Sequence, residues 1–270
     1  MVNKDTQLCI SVAGRPSNFG TTLHNAGYAA LGLNYVYKAF GVNDLAGALI
    51  GVRALHIRGC SVSMPFKEVV LPFLDDLDET ARVIGAVNTI VNDAGRLVGY
   101  NTDAIGARKA LESIAAKSSE TVLLLGAGGA ARAIVFALQQ MGFKQVRVSN
   151  RDPKKIKYLD SIMSCEVVLW EERHLAGADL LINATSVGMS PDVDKSPIGS
   201  EFLSQIRGVM DVVVLPMESS LIKLARSLGK DVAPGYLMSL EQMIEQFRLY
   251  TGEAPPRDVM VDNLNRLLTN

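Results

Sequence analysis

An α/β chain of two domains, the second built on a doubly wound parallel sheet, is what this sequence predicts, and three observations predict it. The chain has 270 residues, more than one ordinary core takes up when single domains run to about 150 residues. Short apolar runs alternate with stretches of helical spacing. Finally, the uninterrupted apolar run Thr121–Leu125, typical of a parallel strand buried on both faces, is followed at once by Gly126-Ala127-Gly128-Gly129-Ala130-Ala131.

In the first hundred residues, strands are expected at 8–11, 35–40 and 57–62, with helices at 22–31 and 45–55 between them. Gly32 suits the residue that ends the first helix, and Asn43 or Asp44 the N-cap of the second. Ser61-Val62-Ser63-Met64-Pro65-Phe66-Lys67-Glu68 then runs from a strand end into an expected helix with Pro65 as its first residue. Lys67 would fall in the first turn, where a cation opposes the helix dipole. That misfit points to chemistry; a lysine reaching out to water is the plainer alternative. Residues 87–91 and 97–100 flank Asn92-Asp93-Ala94-Gly95, which reads as a hairpin turn.

A helix from Asp103 to residue 116 leads into 121–125, where the second domain begins. Its later strands are expected at 145–149, 179–184 and 209–214, with helices at 130–141, 153–163 and 219–228. Residues 238–250 are amphipathic, and a last helix follows Pro255-Pro256 to the chain end; both are expected to return to the first domain. The domains are thus 1–103 completed by 239–270, and 104–238.

Lys and Arg number 27 against 28 Asp and Glu, so no charge excess draws the molecule to nucleic acid or an anionic membrane. The expected partner is a small molecule, bound by a monomer or homodimer. Cys9, Cys60 and Cys165 are an odd, widely spaced set without a CxxC pair, which fits reduced thiols and no structural metal. The N-terminus lacks the pattern of a signal peptide and no apolar run reaches the length of a membrane span, so the cytoplasm is the expected location.

The glycine-rich segment follows a strand and opens a helix, the context in which it holds a dinucleotide. Glycines permit the tight turn and let backbone N–H groups approach a pyrophosphate at the helix N-terminus. An unliganded turn is the alternative. NAD enzymes place an acid on the ribose 2′-OH about twenty residues further on. Here that strand ends Ser149-Asn150-Arg151-Asp152, with Lys154 and Lys155 close behind. A guanidinium suits a 2′-phosphate, so NADP is the expected cofactor; Asp152 keeps NAD as the weaker alternative.

Asp103, in Asn101-Thr102-Asp103, is either an N-cap or a working acid, and spacing does not choose. Asn88, in Gly85-Ala86-Val87-Asn88-Thr89, is either a turn amide or a ligand. His24, His56 and His174 have no partner at metal-ligand spacing and receive no catalytic role.

The segments SVSMPFKE, GAVNTI, YNTDAIG, GAGGAA, SNRDPKK, INATSVGM and GYLMSLEQM, in this order and at these spacings, give a chain that resembles the shikimate dehydrogenase family over nearly its whole length. The resemblance implies an N-terminal substrate domain, a Rossmann cofactor domain, and reversible hydride transfer from NADPH to 3-dehydroshikimate, giving shikimate for aromatic amino acid biosynthesis. It implies Lys67 and Asp103 as the catalytic pair, with Thr22, Ser63, Asn88, Asn101 and Gln242 around the substrate. Hydride arrival creates an alkoxide that needs a proton, and a positioned ammonium supplies it. The implied cofactor contacts are Gly126, Gly128, Gly129, Ala130, Ala131, Asn150, Arg151 and Lys155, then Thr185, Ser186, Gly188, Met189, Val212 and Gly235 on later loops.

Three positions depart from the family pattern. Two serines, one residue apart, grip the substrate carboxylate in the family; here they fall on Gly20 and Thr22, or on Asn18 and Gly20, so one hydroxyl is missing. Val214 replaces a tyrosine and Ser61 an asparagine. A relative acting on quinate or an amino-substituted shikimate is therefore the alternative enzyme. A non-catalytic NADP-dependent binding or sensor protein is the alternative of another class, and a retained Lys67 and Asp103 count against it.

Overall fold

A computed structural model describes residues 2–269; Met1 and Asn270, the ends of the expected first domain and last helix, lie outside the described residues. Two compact units divide the chain, one of residues up to Thr102 together with those from Gln242 onward, the other Asp103–Glu241.

The first unit contains β1 (Gln7–Ala13), α1 (Phe19–Ala30), β2 (Tyr35–Gly41), α2 (Leu45–Ala54), β3 (Gly59–Val62), β4 (Asp76–Leu77), α3 (Glu79–Ile84), β5 (Thr89–Asp93) and β6 (Arg96–Tyr100). Crossovers through α1 and α2 make β1, β2 and β3 parallel. The hairpin is tighter than the sequence suggests. Its strands run to Asp93 and from Arg96, leaving Ala94 and Gly95 at φ 51° and 92°, the left-handed pair that a two-residue turn demands. That turn makes β5 antiparallel to β6, and β5 also runs antiparallel to β3, in the sheet order β2-β1-β3-β5-β6-β4.

One face of this sheet carries Ile10, Val12, Val62, Ile90 and Leu97, covered by Leu45, Leu49 and Val52 of α2 at helical spacing. On the other face Cys9, Tyr28 and Tyr37 meet Phe247 and Tyr250. Those two belong to α9 (Gly235–Thr251), which with α10 (Arg257–Thr269) ends the chain; α10 lies against α1. Gly59 and Gly27 mark how closely α9 docks. A methyl group on Gly59 would run into the Tyr250 ring, and one on Gly27 would stand 2.7 Å from Phe247. Each such buried ring contributes about 1.5–3 kcal/mol.

The second unit contains α4 (Asp103–Ser113), β7 (Thr121–Leu125), α5 (Gly129–Gln140), β8 (Gln145–Ser149), α6 (Ile156–Ile162), β9 (Glu166–Val168), β10 (Leu180–Asn183), α7 (Ser200–Gln205), β11 (Gly208–Asp211), α8 (Ser220–Ser227) and β12 (Asp231–Ala233), and the start of α9. All six strands are parallel in the order β12-β11-β10-β7-β8-β9, the Rossmann order, with the chain reversing direction across the sheet after β9. Alternate residues face opposite layers: Val122 and Leu124 pack under α4, α5 and α6, whereas Leu123 and Leu125 pack under α7 and α8.

One expectation is corrected. No helix starts at Pro65: the Met64–Pro65 peptide is cis, and the Phe66 N–H donates to the Ser63 carbonyl (2.9 Å), closing a turn. Proline suits a turn as well as a first helical position. Lys67 therefore opposes no helix dipole, and that argument for it lapses. Residues 153–155 form a 3-10 turn before α6, and the short β4, β9, β12, α3 and α7 carry too little pattern to be read in advance. Among the described residues no helix is long and apolar enough to cross a membrane.

Candidate functional site

In the first unit the pairing register gathers several sequence-predicted residues at one edge of the sheet. Val12 is opposite Val62, Ser61 opposite Thr89, and Thr89 opposite Tyr100. The chain leaving β1 and β3, the residue entering β5 and the chain leaving β6 therefore meet there. Those segments carry Ser63 and Lys67 after β3, Asn88 before β5, and Asn101 after β6. Backbone bonds stitch them together. Ser63 N–H donates to the Val12 carbonyl (3.0 Å), Gly14 N–H to Met64 (3.0 Å), and Val87 N–H to Lys67 (2.7 Å). Lys67 is half-buried, and Asp103 opens α4 directly after Thr102, 3% exposed.

Asn88, 1% exposed, is the hub of this edge. Its Oδ1 accepts from the Thr102 N–H (2.8 Å) and the Thr89 hydroxyl (2.8 Å), while its Nδ2 donates to Thr102 Oγ1 (2.9 Å) and to Gln242 Oε1 (2.6 Å). Asn101 Nδ2 donates to the Ala86 carbonyl (2.8 Å), which fixes which end of the amide is which; its buried Oδ1 has no hydrogen-bond partner among the described residues. A buried acceptor left so costs about 1–3 kcal/mol, which a ligand hydroxyl would relieve.

Thr22 lies in the first turns of α1, half-buried, its N–H on the Asn18 carbonyl (2.9 Å). Gly20, common to both alignments of the altered loop, packs against Tyr37: a methyl group there would stand 3.2 Å from the phenol oxygen.

Sequence reading missed Gln246, which is fully buried. Its Nε2 donates to Thr89 Oγ1 (2.9 Å), Ser61 Oγ (3.1 Å) and the Asn88 carbonyl (3.3 Å). The available signal was its place one helical turn after Gln242.

In the second unit the register sets Leu125, Ser149, Asn183 and Asp211 level at the C-terminal edge of the sheet. All the expected cofactor residues follow those strands or, for Gly235, begin the helix after β12. Gly126 has φ 108°, and a methyl group on it would stand 2.7 Å from the Ala184 carbonyl oxygen, so only glycine fits. Gly128 is the N-cap of α5, and nothing lies within 4 Å of where a Cβ would be. Among the described residues no side chain caps that helix, and its first internal bond is from Arg132 N–H to Gly128, leaving the earlier N–H groups for an anion. An open cradle on a parallel-sheet edge fits a dinucleotide pyrophosphate. Ala130 is half-buried beside it, but Ala131 is wholly buried and packs α5 onto the sheet.

Beyond β8, Arg151 and Lys155 are exposed and make no ion pair with any described residue. The Asp152 carboxylate is turned to local use, accepting from the Lys154 N–H (3.1 Å), and Asn150 Nδ2 donates to the Asp152 carbonyl (2.7 Å).

The loops after β10 and β11 are tied by a buried polar net. Asn183 Nδ2 and the Val213 N–H donate to Asp211 Oδ1 (3.0 Å each), and Ser219 Oγ donates to Oδ2 (2.5 Å). Thr185 Oγ1 donates back to Asn183 (2.6 Å) and accepts from the Val187 N–H (3.1 Å). Burial pushes the Asp211 carboxyl up to about 6, with these donors pulling the other way. The net holds Thr185, Ser186, Gly188 (φ 98°), Met189 and half-buried Val212 in place, and Gly235 lets α9 start against the Val213 carbonyl.

A family model for the shikimate dehydrogenase substrate binding domain matches residues 18–90, and one for shikimate / quinate 5-dehydrogenase matches residues 107–194. The chain is 42% identical over 264 residues to a shikimate dehydrogenase-like protein of Haemophilus influenzae, the match spanning 97% of each. It is similar to the shikimate 5-dehydrogenase of Thermus thermophilus in complex with NADP(H) and shikimate, at 34% identity and a TM-score of 0.84 over 96% of this chain and 99% of that one. The quinate dehydrogenase of Corynebacterium glutamicum in complex with NAD is similar at 30% identity and a TM-score of 0.87, over 97% and 99%. Relatives thus bind either nicotinamide dinucleotide. With both family models and a near full-length relative in agreement, the chain belongs to the shikimate dehydrogenase family of oxidoreductases.

Proposed function

We propose that this protein is an NADP-dependent shikimate dehydrogenase of the cytoplasm, interconverting 3-dehydroshikimate and shikimate. The observation that carries the reading is the sheet edge of the first unit, where the segments bearing Lys67, Asn88, Asn101 and Gln242 meet around an acceptor, Asn101 Oδ1, that no described residue satisfies. Such an array of amides suits a ring bearing several hydroxyls, and it has little use for a flat aromatic or an acyl chain.

The cofactor, when bound, supplies or takes the hydride. Lys67 polarises the ring carbonyl and gives its proton to the oxygen that becomes a hydroxyl; in the reverse direction it takes that proton back. Asp103 orients the ammonium and binds the neighbouring hydroxyl. Asn101 Oδ1 accepts from a substrate hydroxyl, and Gln242 donates to another. In the second unit Gly126, Gly128 and Gly129 cradle the pyrophosphate, and Arg151 with Lys155 holds the 2′-phosphate. With Asp152 occupied as a local cap, the basic pair favours NADP over NAD.

A second reading, a preference for quinate or an amino-substituted shikimate, is favoured by Gly20 and Val214, where the family has side chains near the substrate carboxylate and ring. A matrix of shikimate, quinate and aminoshikimate against NADP and NAD, followed by nucleotide reduction, tests both. Highest kcat/KM with shikimate and NADP is the expected result. Preference for another acid hands the site to the second reading. Binding of NADP with no turnover of any acid would mean a binding protein instead.

A further inference from the structure

Gln242 and Gln246 stand one turn apart on α9, and both grip the Asn88 segment. Amide orientation is normally ambiguous, yet here backbone atoms fix it at two points. The Asn88 carbonyl can only accept, so the Gln246 atom facing it at 3.3 Å is the nitrogen. The Thr102 N–H can only donate, so the Asn88 atom facing it at 2.8 Å is the oxygen.

From those two points the hydrogen bonds run in one direction. Gln246 Nε2 donates to Thr89 Oγ1 (2.9 Å), so the Thr89 hydrogen is released toward Asn88 Oδ1 (2.8 Å). Asn88 Nδ2 is then the end that meets Gln242, which must receive it on Oε1 (2.6 Å). The Gln242 NH2 is the group left over, and it makes no hydrogen bond to a described residue.

We propose that Gln246 is a positioning residue that, together with the Thr102 N–H, holds this relay in its direction, so that Gln242 presents an NH2, and not a carbonyl oxygen, to an oxygen of the substrate. The inference rests on the reading of this edge as the polyol-acid site. It adds a specificity rule to that reading: the position facing Gln242 takes a hydroxyl or carboxylate oxygen and disfavours an ammonium, which two opposed donors would repel. Without Gln246 the Thr89 hydroxyl is free to turn, and Asn88, still oriented by the Thr102 N–H, is held less firmly, so the Gln242 NH2 loses its fixed position.

The test is a double-mutant cycle in the full chain, with Gln246→Met and Thr89→Val, reading KM for shikimate, KM for NADP and kcat. Each single change is expected to raise KM for shikimate about tenfold, the effect of losing one well-placed hydrogen bond, while KM for NADP stays within about twofold. The double variant should be no worse than either single one, because both cut the same relay. Thr89→Ser keeps the hydroxyl and should keep the wild-type KM.

Unchanged KM in Gln246→Met, multiplying effects in the double variant, or an equal rise in Thr89→Ser would each overturn the relay, leaving Gln246 as packing alone. If Gln246→Met does not fold, the contrast between Thr89→Val and Thr89→Ser still decides. A wild type that turns over no polyol acid would remove the underlying reading and the relay together, an outcome distinct from an active wild type with insensitive variants.

Discussion

His24 is fully buried, its ring stacked on Tyr37 at 4.4 Å between centroids and flanked by Phe247, and burial pulls its pKa down from 6.5 to about 4 against a smaller opposing effect of Gln246. Between those values the unfolded chain binds a proton that the folded state refuses. Stability from this residue is therefore complete above pH 6.5 and is lost as the pH falls toward 4, by about 3 kcal/mol at most. Urea unfolding across that range should show the loss in the wild type and a flatter profile in His24→Phe; equal slopes would contradict the assignment. At the cofactor end, Arg151→Ala should raise KM for NADP about tenfold or more, the usual worth of a charge-assisted hydrogen bond, and leave KM for NAD nearly unchanged. Parallel titrations with the two nucleotides check it. The proposal for Arg151 comes from the sequence, where a basic residue stands at the place an acid would mark NAD. Gln246 was not: a glutamine on a helix reads as solvent-facing until the fold turns it inward.

Elements with a strong periodic signal were readable, and those whose existence depends on the neighbouring chain were not. β7 carried a run of buried apolar residues, β8 alternated buried Val146 and Val148 with Arg147, and the glycines at the β7–α5 turn announced it. β9 and β12, three residues each at the sheet edges, exist because a neighbouring strand offers a ladder. The stretch after β3 went astray for a different reason, since proline signals both helix starts and turns. Two substitutions probe the elements that carry the sites. Gly126→Ala places a methyl group 2.7 Å from the Ala184 carbonyl at φ 108° and should cost about 1–3 kcal/mol in backbone strain while abolishing NADP binding, as thermal melts with and without NADP would show. Phe247→Ala empties the space that α9 fills against Gly27 and Tyr28 and should destabilise the first unit by about 3–5 kcal/mol in chemical unfolding.

At the scale of the whole molecule, each unit concentrates its unusual polar groups at one edge of one sheet. In the second unit that edge follows from topology, because every strand is parallel and every loop after a strand emerges on the same side. The first unit achieves the same with a mixed sheet, since the antiparallel β5 enters at the edge where β3 and β6 leave. Sequence motifs named most of the residues at both edges, through their order and spacing. They did not reveal that Asn88 and Gln242 bond to each other, because the partners are far apart in the chain and each looks like an ordinary surface amide. The central claim is that Lys67 works on a shikimate-like substrate while the second unit independently holds NADP. The most direct measurement is kcat for shikimate oxidation by Lys67→Ala, alongside its Kd for NADP. The account predicts a fall in kcat of about 100-fold or more, the usual contribution of a general acid–base group, with NADP affinity unchanged. A variant that retains the wild-type kcat would contradict it.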